Sequence, residues 1–190
     1  MIETLKQIVK EKRNEDIEII SIFKTGSHLF CTNCTDTDYV VIVNKPIKRV
    51  HYFNKDTNED FFIYSQEERN RELNFETNTT SDIYVINEIL KPQFLVYGNA
   101  TIRLDLISKA SEYKTMLKNV LEKWCFSPQL KWTNSDLYCH KKFWWVILGL
   151  KFIENKSYTI TDEMKDIIQK CHDGVLPKSW ETWVKERLGD

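Results

Sequence analysis

The residue pattern predicts an α/β (α+β) chain: a mixed sheet with flanking helices, followed by a helical C-terminal region. Two short β-branched and aromatic runs, residues 17–24 and 39–44, are separated by a polar loop. Such runs suit a pleated, half-buried surface. After Tyr64 the apolar residues recur at helical spacing instead. Pro 4 and Gly 5, nine in all, leave little material for long loops.

In chain order, residues 2–14 read as an amphipathic helix with Ile2, Leu5, Ile8 and Val9 on one face. Residues 17–24 and 39–44 read as strands, the second closed by Pro46. Residues 47–64 read as a hairpin, with the polar turn Lys55-Asp56-Thr57-Asn58 between two apolar arms. These make a sheet of three or slightly more strands. Residues 66–74 are helix-compatible, and 82–90 read as a helix ending before Pro92. A long helix is expected over 102–124, and another over 134–153 capped by Asn134 or Ser135. Thr161 with Asp162 and Glu163 starts a further helix that Gly174 and Pro177 stop, and Ser179 can cap a last one. The expected division is 1–100 for the sheet domain and 101–190 for the helical region.

The chain has 190 residues, 42% hydrophobic and 13% aromatic, enough for a real core. No apolar run approaches the ~20 residues of a membrane span. The amphipathic N-terminus lacks the continuous apolar stretch of a secretory signal. A cytoplasmic protein without a membrane partner is the expectation. The net charge of −1 divides into −4 over residues 1–100 (12 basic, 16 acidic) and +3 over 101–190 (15 basic, 12 acidic). That balance does not demand nucleic acid. Five cysteines, an odd number, argue against a disulfide framework. The pair Cys31 and Cys34 is too small a set to establish zinc.

The most informative stretch is SIFKTGSHLFCTNCTDTDYVVIV, residues 21–43. Asp36 and Asp38, two residues apart at the start of a strand, point to one face. Like charges that close are costly unless a divalent cation neutralises them. The turn Gly26-Ser27 before them can offer backbone N–H groups and a hydroxyl to a phosphate. Carboxylates for metal beside a phosphate cradle are the components of phosphoryl or nucleotidyl transfer. A third carboxylate on a neighbouring strand would complete the set. Asp60 is the candidate and Glu59 its rival, because strand alternation lets only one face the site.

On these residues the chain resembles the DNA polymerase β-like nucleotidyltransferase superfamily: a strand, Gly-Ser, a short helix and loop, then Asp-x-Asp. Gly26-Ser27-His28-Leu29-Phe30, with Thr32-Asn33 after it, is similar to the predicted nucleotidyltransferases common in phages and bacteria. Cys31 stands where that family usually has glycine. Two alignments are open. A loop two residues shorter than the common spacing pairs Asp36 with Asp38. The ungapped alignment gives Asp38 the first acidic place and Val40 the second, which implies an inactive protein.

The resemblance implies transfer of NMP from an NTP to an acceptor hydroxyl on RNA, protein or a small molecule. It implies two Mg²⁺ ions, with Mn²⁺ as an alternative, held by Asp36, Asp38 and Asp60. It implies that Gly26, Ser27 and Lys142 bind the nucleotide, Lys142 from a helix that also carries His140 and Lys141. Inactive binding modules and antitoxin-like regulators of a partner protein are the alternatives.

Overall fold

Phe23, Val40 and Phe62 lie side by side on three adjacent strands of a mixed, five-stranded sheet. The computed structural model describes residues 1–32, 35–76, 94–99, 106–124 and 135–189. The chain divides into two compact units, residues 1–74 with 90–103, and residues 75–89 with 104–190.

The first unit begins with α1 (Ile2–Arg13), followed by β1 (Ile19–Thr25), a single 3-10 turn (Ser27–Leu29) and β2 (Thr37–Val43). The hairpin β3 (Val50–Asn54) and β4 (Glu59–Ser65), α2 (Gln66–Leu73) and β5 (Leu95–Gly98) complete it. The strand order is β3-β4-β2-β1-β5. β2 runs parallel to β4, and the other pairings are antiparallel.

Strand alternation divides the sheet into two faces. One carries Ile22, Tyr39, Val41, Val43, Phe61 and Ile63 and packs with Leu5 and Val9 of α1. Ile19 and Ile22, three residues apart, both belong to this core because a register shift between Ile19 and Ser21 inserts one extra residue. α1 is tied to the sheet edge where Lys12 Nζ donates to the His51 carbonyl (2.7 Å) and Arg13 to those of Lys48 and Arg49. The other face carries Thr25, Asp38, Val40, Asp60, Phe62 and Tyr64. The Arg69 guanidinium of α2 lies 4.9 Å from the Tyr64 ring and pairs with Glu72 in the interior.

The second unit contains α3 (Ala110–Trp124), α4 (Ser135–Asn155), α5 (Asp162–His172) and α6 (Ser179–Leu188). Its core includes Tyr113, Leu117, Trp144, Ile147, Phe152 and Ile168. The fold is therefore α+β, with a helical C-terminal region, as the pattern implied.

Three local expectations need correction. β5 was not foreseen; it is a four-residue edge strand. The helix expected from residue 102 begins at Ala110, and Leu106–Lys109 form turns. Tyr158 Oη accepts the Ile107 N–H at 2.9 Å, so that donor is satisfied outside a helix. Ser179 lies inside the first turn of α6, with Lys178 at the cap position and no side-chain cap bond. Thr161 does cap α5, accepting from Met164 N at 3.3 Å. The helix expected over 82–90 lies outside the described residues. No helix among the described residues is long and apolar enough to cross a membrane.

Ile22, fully buried, should anchor the core, whereas Val96 on β5 is 43% exposed. Ile22→Ala is expected to lower stability by about 2–5 kcal/mol, and Val96→Ala by a small fraction of that. Urea denaturation midpoints measure both.

Candidate functional site

β1 delivers the chain to the site through Thr25, the register partner of Asp38. The next residue, Gly26, has φ +92°, a conformation that strains any residue with a side chain. A Cβ there would sit 2.9 Å from the Asp38 Cγ and would overlap its carboxylate. Glycine is thus required both by the backbone and by the carboxylate packed against it. The 3-10 turn follows, closed by Leu29 N donating to Gly26 O at 3.5 Å.

Asp38 lies on β2, and its neighbour on the parallel strand β4 is Asp60, in direct register. The two carboxylates therefore share a face. Glu59 lies on the opposite face, where it accepts from Tyr39 Oη at 3.1 Å and from Thr57 Oγ1 at 2.6 Å. Burial and that bond push the Tyr39 hydroxyl up to about 12. Of the two candidate third acids, Asp60 is the one beside Asp38.

Asp36 differs from expectation in one respect. β2 starts at Thr37, so Asp36 precedes the strand and is exposed. The strand begins there because Thr37 pairs with Glu59, Thr37 N donates to Asn58 O at 3.1 Å, and the Asn58 amide holds the Thr35 carbonyl. Asp36 still acts on the site. The Asp38 carboxyl is pushed up to about 7, first by burial, then by the charge of Asp36, then by that of Asp60. Val40 also lies on the Asp38 face, but it is 5% exposed and paired with Phe23.

Two further side chains occur here that the sequence did not single out. His51 of β3 bonds through Nε2 to Asp60 Oδ1, with its ring stacked on Phe62 at 4.9 Å. No motif marks it; only the β3–β4 register brings it to Asp60. His28, just after Gly26-Ser27, senses the charges of Lys24 and Asp36, and burial is the largest influence holding its ring below the ordinary value.

Ser27 lies in the turn, but its side chain is outside the described residues. Lys142 belongs to α4 in the second unit, and its side chain, with those of His140 and Lys141, is also outside them. Cys31 is buried, and Cys34 lies outside the described residues.

Among the described residues no group of three or more His, Cys, Asp or Glu is drawn together as a metal site. The donor chemistry nevertheless fits Mg²⁺, which takes hard oxygen ligands from one or two carboxylates plus phosphate. A half-buried acid raised by desolvation and then by two like charges is one whose ionised form a bound cation would favour. Comparison with protein-family models finds none that matches the chain, and comparison with curated proteins finds no significant match.

Because the Asp38 carboxyl titrates higher when folded than when unfolded, its contribution is favourable at low pH and is lost as pH rises from about 4 to about 7. Asp38→Asn is therefore expected to stabilise the metal-free protein above pH 7, on the order of 2–4 kcal/mol. The gain should vanish below about pH 4. Denaturation of both proteins across that range measures the difference.

Proposed function

We propose that the chain is a Mg²⁺-dependent nucleotidyltransferase that moves NMP from an NTP to an acceptor hydroxyl, releasing pyrophosphate. One observation carries this reading: Asp38 and Asp60 lie in register on parallel strands, with the Asp36 charge acting on Asp38 and the bare Cα of Gly26 against it. The resemblance of residues 26–38 to the polymerase β-like signature supports it.

In this reading Asp36, Asp38 and Asp60 would hold the metal. Bound Mg²⁺ would supply charge neutralisation of the triphosphate and activation of the acceptor oxygen. Gly26 and Ser27 would offer backbone N–H groups to the phosphates, and the absent Cβ of Gly26 lets the Asp38 carboxylate pack against the same turn. Asp60 receives the acceptor proton. His51, bonded to Asp60 and braced on Phe62, fixes the direction of that carboxylate. The acceptor is RNA, a protein side chain or a small molecule.

A second reading, an inactive nucleotidyltransferase-like binding module or antitoxin-like regulator, has specific observations in its favour. Val40 is buried on the site face where the ungapped alignment puts the second acid, and Asp36 is exposed outside β2.

Calorimetry with Mg²⁺ and a non-hydrolysable NTP tests the site. Asp36→Asn with Asp38→Asn should abolish metal-dependent binding with the fold intact, and unchanged binding rejects the reading. In transfer assays with NTP, Asp60→Ala should remove activity by 10²-fold or more, roughly the contribution of a positioned base, while Glu59→Ala costs little. Binding without transfer in the unmodified protein selects the inactive module.

A further inference from the structure

The turn that follows β1 is flanked by two side chains whose shielded polar atoms have no partner among the described residues. Thr25 is 5% exposed and its Oγ1 has no hydrogen-bond partner. His28 is partly buried, and neither Nδ1 nor Nε2 has a partner, although both atoms are shielded from solvent. A buried hydroxyl or imidazole without a partner is costly. Native structures rarely tolerate this unless a ligand, ion or water completes the bonds. Two such groups bracket Gly26-Ser27, one on each side.

Their placement says what would complete them. Thr25 is the register partner of Asp38, so its hydroxyl belongs to the carboxylate face. His28 lies within reach of the Asp36 and Lys24 charges, and so sits at the same end of the sheet. Between them is Gly26, against whose Cα the Asp38 carboxylate packs. Thr25 and a neutral imidazole can each donate one hydrogen bond. An oxygen-rich ligand resting on the turn would accept both.

We propose that His28 and Thr25 are further ligand-contacting residues of this site, donating hydrogen bonds to phosphate oxygens of a nucleoside triphosphate seated on Gly26-Ser27. The inference rests on the nucleotide reading above and deepens it. It adds His28 as the residue that distinguishes a bound polyphosphate from a bare metal. Among the described residues no other group partners these atoms, so the ligand would gain their bonds without displacing an internal partner. Such a hydrogen bond to a charged acceptor is stronger than one between neutral groups.

The test uses the full chain, Mg²⁺ and a non-hydrolysable ATP analogue, read by calorimetry, with thermal melting of the ligand-free proteins beside it. His28→Ala should weaken analogue binding by roughly 10-fold or more, in keeping with a bond to a charged group. Its melting midpoint should stay level or rise, because an unpaired polar group has been removed. His28→Gln, which restores an N–H donor, should recover part of the affinity. Thr25→Val should weaken binding in the same direction. Equal affinity in His28→Ala and the unmodified protein overturns the inference and leaves the nucleotide site standing. A drop in melting midpoint with no recovery in His28→Gln marks His28 as structural and also overturns it. Absence of any analogue binding by the unmodified protein removes the nucleotide reading, and this inference with it.

Discussion

The candidate site turns on the half-buried carboxylate of Asp38. It is pressed against Gly26, aligned with Asp60 and exposed to the charge of Asp36. A fold gains nothing by burying a carboxylate among two others. The rest of the first unit can be understood as what makes that position enforceable. α1 covers the opposite face of the sheet with Leu5 and Val9 and fixes which side of β2 faces the interior. The bulge at the start of β1 sets the register that puts Thr25 opposite Asp38. Parallel pairing of β2 with β4 places Asp60 at the same height.

The same pairing separates two acids adjacent in sequence. Glu59 is drawn into a bond with Tyr39 on the α1 face, and Asp60 is left to the site. His51 then holds Asp60 from the neighbouring strand. Each carboxylate thus has one constraint of its own: packing for Asp38, a hydrogen bond for Asp60, and a position outside the strand for Asp36. This is an arrangement with stored electrostatic repulsion, and a cation is the simplest partner that would discharge it.

Much of this was legible in residues 21–65. The β-branched and aromatic runs identified β1 to β4, and the period of two allowed only one of Asp60 and Glu59 to face the site, the choice between them resting on the strand register. Gly26 could be singled out because a turn ending a strand beside an acidic pair favours a residue without Cβ. Other features were not legible because they depend on contacts distant in sequence. β5 is only four residues long, and its place beside β1 comes from pairing with Ser21, Ile22 and Phe23. The late start of α3 depends on Tyr158, 51 residues after Ile107. His51 carries no motif, and only strand register brings it to Asp60. The second strand was expected over 39–44 with Asp36 and Asp38 at its start; the bonds from the β3–β4 turn to Thr35 and Thr37 start it at Thr37, so that Asp38 lies within β2 and Asp36 just before it.

The proposed metal would relieve the charge crowding at Asp38. An NMR titration of the Asp38 carboxyl carbon, with and without Mg²⁺ and a non-hydrolysable NTP, tests it most directly. The account predicts a midpoint near 7 in the free protein, moving well down toward the ordinary carboxylate range when metal and nucleotide are present. A free-protein midpoint already in the ordinary range, or one that does not move on addition of Mg²⁺ and nucleotide, would contradict it.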